Sequence, residues 1–332
     1  MIVAQAPPPS SPAATAAPKT PAEFFARARQ LSDLEAAGIP FHVKATYVAS
    51  GNAEFTGNGT YEEWWESKDS WRKEATLGDF RWFELQSGAE PATYTSSPYV
   101  PFRLRQAIRA VLIGTEPKSS TNLKWQVKRT SLGGVKLIVV SAKRPIGFLG
   151  PQRTAINDYF TSEGLLRIQQ ASGTLTLYNH WQRYQNLFIP RSIQVMIGTT
   201  RVLDISINTL EPLSPSGEAI LPSVPAGLNP AESYAAGPGF VAPQIVRRPV
   251  PDYPTGLTGG EKPTVFVGAT IDEQGRIREP FIEQSAGSTL DREALAAFSR
   301  FQFRPATKGG RPVAVQITVP LVFANQSSPV PE

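Results

Sequence analysis

Between Phe41 and Thr209, apolar and polar residues alternate in short runs that glycine, asparagine or aspartate interrupts. A period of two puts successive side chains on opposite faces of an extended chain, so this stretch predicts strands and tight turns, not a helical bundle. "FHVKATYVAS" alternates Phe41, Val43, Ala45 and Tyr47. The series continues through "EFTGNGTYEEWWES", "SWRKEATLGDFRWFELQSG", "LKWQVKRTS", "KLIVVSAK", "TAINDYFTS", "LLRIQQAS", "TLTLYNHWQRY", "RSIQVMIG" and "RVLDISINTL". Gly133-Gly134 and Ser172-Gly173 have the chemistry of two-residue hairpin turns. Strands spaced about ten residues apart predict one large antiparallel, barrel-like sheet.

Two helices accompany these strands. Thr20, Pro21 and Glu23 form a T-x-x-E capping box with proline at the first helical position. The helix is expected from Pro21 to Ala37, with Phe24, Phe25, Ala28, Leu31 and Leu34 on one face and Gly38 as its stop. A second is expected from Pro101 to Ile113, with Leu104, Ile108 and Leu112 facing inward. The fold class is therefore α+β.

The chain has 332 residues, enough for two cores. Its net charge of +5 is modest, and the part from Phe240 onward contributes only +1 of it. Neither part has the balance of a nucleic-acid-binding module, so no nucleic acid is expected as a partner. The absence of cysteine excludes thiolate metal sites, disulfides and a cysteine nucleophile. No apolar run is long enough to span a bilayer.

Composition divides the chain further. Residues 1–19 are a Pro/Ala-rich leader that cannot bury apolar surface. Ala4-Gln5-Ala6 has the small-x-small form of a signal-peptidase site without the apolar segment that precedes one, so the leader reads either as low complexity or as the remnant of an export signal. The sheet domain is placed at 20–210, a Pro-rich linker at 211–246, a small domain at 247–325 and a tail at 326–332.

The small domain reads clearly. "PTVFVGATI" alternates, Asp272 to Gly275 supplies a turn, and "RIREPFIEQSA" returns. Ser288-Thr289-Leu290-Asp291 reads as an S-x-x-D cap before a helix that turns Leu290, Ala294, Leu295 and Phe298 inward. The chain closes on an alternation in which Val313, Val315, Ile317, Val319, Leu321 and Phe323 point one way, and Ala314, Gln316, Thr318, Pro320 and Val322 the other. Pro320 favours an edge strand, because a proline has no N–H for a central ladder. An edge strand can accept an extended peptide. The partner-binding residues expected are Val313, Val315, Gln316, Ile317, Thr318 and Val319.

Pro251-x-Tyr253-Pro254, the hairpin from Val265 to Ile277, "SAGSTLDREALAAF", "FQFRPA" and "GRPVAVQITVPLVF" together resemble the TonB C-terminal domain. That resemblance implies a β-β-α-β fold, a periplasmic location, and a last strand that binds a short extended segment of outer-membrane receptors. "FHVKATYVASGNAEFTGNGTYEEWWES", "KDSWRKEA" and "LFIPRSIQVMIGTTRVLDISI" give the first domain a weaker resemblance to LolA/LolB/RseB-like open barrels, which implies a lipid or lipoprotein ligand or a sensing role. Partners implied are thus an outer-membrane receptor peptide or another envelope protein, or a lipid or lipoprotein, with a homodimer also compatible.

All six tryptophans lie between Trp64 and Trp181. They read either as core packing of a curved sheet or as the lining of an apolar cavity, for which Trp64, Trp71, Trp82 and Trp125 are the candidates. His42 and His180, far apart and without cysteine, do not make a zinc site, so no metal or cofactor is expected. "TGGEKP", from Thr258 to Pro263, has Glu261 where a phosphate loop needs glycine and reads as a turn. Glu62, Glu63, Glu66 and Asp69 around Trp64 and Trp65 read as a solvated strand face, and Arg247 and Arg248 as linker surface. No catalytic motif is present, and no enzyme is expected.

Overall fold

The computed structural model describes residues 16–51, 55–87, 91–97, 99–111, 123–145, 153–171, 174–213, 223–231, 239–254 and 263–323. Most of the leader, the turn at Ser172-Gly173, Leu112, the "TGGEKP" turn up to its last residue and the tail lie outside them. The chain divides into two compact units, one built chiefly from residues 1–232 and the other from residues 233–332.

The first unit contains α1 (Pro21–Ser32), β1 (Phe41–Ala49), β2 (Gly57–Ser67), β3 (Ser70–Leu77), β4 (Phe80–Ser87), β5 (Ala92–Thr95) and α2 (Phe102–Val111). It continues with β6 (Gln126–Leu132), β7 (Val135–Pro145), β8 (Arg153–Phe160), β9 (Leu166–Ala171), β10 (Thr174–Tyr184), β11 (Leu187–Ile197), β12 (Thr200–Pro212) and β13 (Asn229–Pro230). All thirteen strands form one sheet in the order β13-β5-β4-β3-β2-β1-β12-β11-β10-β9-β8-β7-β6. Two antiparallel meanders therefore meet where β1 pairs with β12, from Phe41↔Pro212 to Ala49↔Leu203. The sheet does not close; β13 and β6 are its ends. Gly133 and Gly134 take φ of 56° and 82° between the paired Leu132 and Val135, as the hairpin requires.

Strand alternation decides the core. Phe41, Val43, Ala45, Tyr47 and Ala49 of β1 are buried, and both helices lie against this face. The α1 capping box forms, with Thr20 Oγ1 accepting from Glu23 N–H and Glu23 Oε2 accepting from Thr20 N–H. The helix ends at Ser32, five residues short of the sequence expectation, because Asp33 to Ala37 turn instead. Its Phe24 and Phe25 rings pack on Phe160, and Phe25 also meets Trp125 edge-on at 5.2 Å. From α2, Leu104, Ala107, Ala110 and Val111 are buried.

The segment expected to be a linker carries structure of its own. Strand β12 runs through Pro212, and Asn229–Pro230 pair with Thr95 and Tyr94 of β5. Arg81 Nη2 donates to Ala226 O at 2.7 Å and Ala231 N–H to Thr93 O at 2.8 Å, which clips this passage to the sheet's edge.

The second unit contains β14 (Phe240–Val241), β15 (Gln244–Arg247), β16 (Thr264–Ile271), β17 (Ile277–Gln284), α3 (Ser288–Phe298), β18 (Gln302–Arg304), β19 (Ala306–Lys308), β20 (Arg311–Val313) and β21 (Val315–Val322). Its main sheet has the order β17-β16-β21, while β15 pairs with β18, and β14, β19 and β20 form a third sheet. Val265, Val267, Ala269 and Ile271 pack against Leu290, Ala294, Ala297 and Phe298 of α3 and against Val319, Leu321 and Phe323. The S-x-x-D cap is displaced by one residue. Gly287 is the N-cap at φ 119°, and Asp291 reaches back to accept from Ala286 N–H at 3.1 Å and Ser285 Oγ at 2.6 Å. Asp272 is 1% exposed and accepts from Gln274 N–H, Arg276 N–H and Arg276 Nε, closing the β16–β17 turn.

Candidate functional site

The last strand pairs with β16 without a bulge, from Ile271↔Val315 to Thr264↔Val322, and has no other strand beside it among the described residues. Its hydrogen-bonding phase follows from two contacts. Phe323 N–H donates to Pro263 O at 2.9 Å, so odd-numbered residues bond inward across an antiparallel pair. Arg248 Nη2 donates to Pro320 O at 3.0 Å, so the even-numbered residues face outward. Gln316, Thr318 and Val322 thus present both backbone groups at the open edge, and Pro320 presents only its carbonyl. Proline sits here without loss because an outward position needs no ladder donor.

The opposite edge differs. β17 is shifted against β16 at two places, between Phe266 and Val267 and between Gly268 and Thr270. It also carries Pro280 and holds Glu279 at φ 47°. Bulges and proline blunt an edge against pairing, so β21 is the straight, pairable border of this sheet.

Of the predicted edge residues, Val315, Gln316, Ile317, Thr318 and Val319 lie on β21. Val313 does not: it ends β20 and pairs with Ala306 in the third sheet, and Ala314 separates the two strands. An unbroken alternation in sequence hides that break. The Thr318 hydroxyl donates to the Glu283 carboxylate of β17 across Gly268, over which the Phe281 ring lies. Arg248 is not idle linker surface, since it holds the Pro320 carbonyl.

The four tryptophans proposed as a cavity lining do not come together. Register pairs Trp65 with Trp71 and Ala75 with Trp82 on the core face, where Trp71, Trp82 and Trp125 pack against buried residues. Trp64 points to the other face. There it stacks on His42 with centroids 4.8 Å apart and carries the Arg72 guanidinium 3.5 Å above its ring. A recess in the unit is lined by Val135, Leu137, Arg167, Ile168, Leu177 and Asn179, and none of the four tryptophans borders it.

Sequence reasoning also misplaced Glu63. It is 0% exposed and lies on the core face, not on a solvated one. Its Oε2 accepts from Tyr61 Oη at 2.8 Å and its Oε1 lies 3.3 Å from Lys73 Nζ, which also reaches Glu35 at 3.4 Å. Glu84 on β4 accepts from Thr93 Oγ1 at 3.1 Å. Burial pushes the Glu63 carboxyl up to about 7, against the pull of Lys73. Burial likewise raises Glu84, and the surrounding carboxylates, Glu63 first, raise Lys73 against its own desolvation. Glu63 itself has no solvent access, and through Lys73 and Glu35 this cluster ties the turn after α1 to the sheet. On the outer face, His42 Nδ1 lies 2.9 Å from Glu211 and Nε2 lies 2.8 Å from Glu62, which also pairs with Lys44 at 2.7 Å.

Among the described residues no helix is long and apolar enough to cross a membrane, and no three His, Asp or Glu side chains gather as metal ligands. No curated protein sequence matches the chain. Among solved structures, it is similar to a LolA superfamily protein from Nitrosomonas europaea at 11% identity and a TM-score of 0.36, covering 59% of this chain and 95% of that one. A DUF1329 family protein from Desulfovibrio piger matches at 7% identity and a TM-score of 0.34, over 57% of this chain and 90% of that one. Residues 250–324, which hold the main sheet of the second unit and its open edge, match the family described as Gram-negative bacterial TonB protein C-terminal.

Proposed function

We propose that the protein works in the cell envelope as a binding protein, not an enzyme, and that the outer edge of β21 receives an extended segment of an outer-membrane receptor or another envelope partner as an added strand. What carries the reading is the border itself. It is straight and unbulged, it has a single neighbour among the described residues, and it turns the backbone groups of Gln316, Thr318 and Val322 outward. The match of residues 250–324 to the TonB C-terminal family supports it. Main-chain hydrogen bonds would supply affinity, each worth a net ~0.5–1.5 kcal/mol, and the lone carbonyl of Pro320 would set where pairing weakens.

Gln316→Pro tests it. That substitution removes an outward N–H and leaves the ladder to β16 intact, as Pro320 already does four residues further along the strand. Calorimetry of the full chain with peptides from receptor plug segments should show affinity falling by about 2- to 12-fold, with the thermal melt unchanged. Equal binding by wild type and variant, or no binding by wild type, would overturn the reading. A lipid-carrier role for the first unit lacks comparable support, because its core face under β2 to β4 holds Glu63 and Lys73 among packed tryptophans.

A further inference from the structure

The modest net charge conceals one uneven stretch. Between Glu116 and Asp158 there is no acidic residue, while Lys118, Lys124, Lys128, Arg129, Lys136, Lys143, Arg144 and Arg153 give +8. Set against +5 for the whole chain, that leaves −3 on everything else. Among the described side chains, Lys124, Lys128, Arg129 and Lys136 of this stretch fall at one place. β6 and β7 form the hairpin that ends the sheet opposite β13, and among the described residues β6 has only β7 beside it.

Lys124, Lys128, Arg129 and Lys136 are all exposed. None of the four has an ion-pair partner among the described residues. Cross-strand register fixes where they point. Lys128 shares a face with its partner Val139, while Arg129 and Lys136, which faces Ser131, share the other. Cations therefore stand on both sides of the hairpin. Its tip is apolar: Leu132 and Val135 flank Gly133-Gly134 and are only half-buried, and Val127 is 37% exposed on the edge strand.

We propose that the β6–β7 hairpin is a docking surface for an anionic phospholipid membrane, with Lys124, Lys128, Arg129 and Lys136 meeting headgroup phosphates and Leu132 and Val135 entering the interface. Charged residues along a border strand oppose addition of another strand, so the patch suits a broad field of anions better than one acidic peptide. Cations on opposite faces are all satisfied when the hairpin enters a headgroup layer tip first, whereas a protein surface would meet one face. A small apolar tip with a basic rim is the chemistry of reversible attachment to anionic bilayers.

Co-sedimentation of the full chain with vesicles of roughly one part phosphatidylglycerol to two of phosphatidylcholine tests this, with pure phosphatidylcholine as reference. Wild type should bind the anionic vesicles and not the neutral ones, and should release as salt rises to about 0.5 M, where screening is nearly complete. Lys128→Glu, Arg129→Glu and Lys136→Glu together should weaken binding by roughly 100-fold or more. Arg292→Glu with Arg300→Glu, an exposed pair on and just beyond α3, should bind as wild type. Salt-insensitive binding, equal loss in both variants, or binding to polyglutamate without binding to vesicles would each overturn the proposal; the last would assign the patch to an acidic polypeptide. Should the triple variant fail to fold, Lys128→Gln alone and the salt dependence of wild type decide by the same criteria.

Discussion

Replacing Glu63 by glutamine should make the first unit less sensitive to pH. In the wild type, Glu63 holds its proton to about pH 7 in the folded state, against an ordinary 4.5. A folded-state value above the unfolded one means that the stability it confers is complete below the ordinary value. That stability is lost as pH rises to the folded value. A shift of this size corresponds to about 3 kcal/mol between pH 4.5 and pH 7. Glutamine keeps an acceptor for the Tyr61 hydroxyl and has no proton to lose. The stability difference between variant and wild type should therefore move by about 3 kcal/mol in favour of the variant over that interval. Lys73→Met, which leaves a buried carboxylate without its cation, should cost about 3–5 kcal/mol at pH 8 and much less at pH 5. Urea unfolding followed by tryptophan fluorescence is the assay, because all six tryptophans belong to the first unit and the second is silent. Parallel pH dependence of wild type and Glu63→Gln would refute the placement of Glu63 in a sealed interior.

Other outcomes follow from the second unit. A Cβ on Gly268 would lie 2.3 Å from Phe281 Cζ, so Gly268→Ala should destabilise by about 1–3 kcal/mol; adding Phe281→Ala should recover part of that loss, as a double-mutant cycle in denaturant would show. Burial works to raise the Asp272 carboxyl, but hydrogen bonds led by Arg276 N–H outweigh it and hold it below the ordinary 3.8. Its contribution is thus complete above that value and is lost as pH falls through the lower folded-state value. Asp272→Asn should speed amide exchange across β16 and β17 at neutral pH and lose that difference in acid. Arg248→Ala should leave the melting temperature unchanged and tighten peptide binding by calorimetry, because an incoming N–H no longer competes for the Pro320 carbonyl; weaker binding would make Arg248 a contact for the partner instead.

What the sequence disclosed depended on whether one residue's parity could be read. In β1 and β21 a strict alternation of apolar and polar residues assigned the faces directly, and the phase of Pro320 agreed with its border position. In "YEEWWES" both parities mix glutamate with tryptophan, Glu63 and Trp65 on one and Glu62, Trp64 and Glu66 on the other, so neither face looks buried. Only pairing with Val43 puts Glu63 inside, and only pairing with His42 puts Trp64 outside. The break between β20 and β21 was hidden for the opposite reason, since Val313 and Val315 continue one alternation across a change of sheet. The S-x-x-D reading erred by one residue because Gly287, free to take φ 119°, supplies the cap position itself. Lys124, Lys128, Arg129 and Lys136 looked unremarkable in sequence until the hairpin gathered them.

The route by which the chain leaves its first sheet has a mechanical consequence. It departs from β12, a strand flanked on both sides, and among the described residues that follow it rejoins the sheet at the short clip of Asn229–Pro230. Tension applied downstream would peel the clip first, one short rung after another, and pay out the eighteen residues from Leu213 through Pro230, up to about 60 Å of extended chain. Only then would the pull reach β12, where ladders to β1 and β11 must tear together. Such a tether gives way early, lengthens, and then holds.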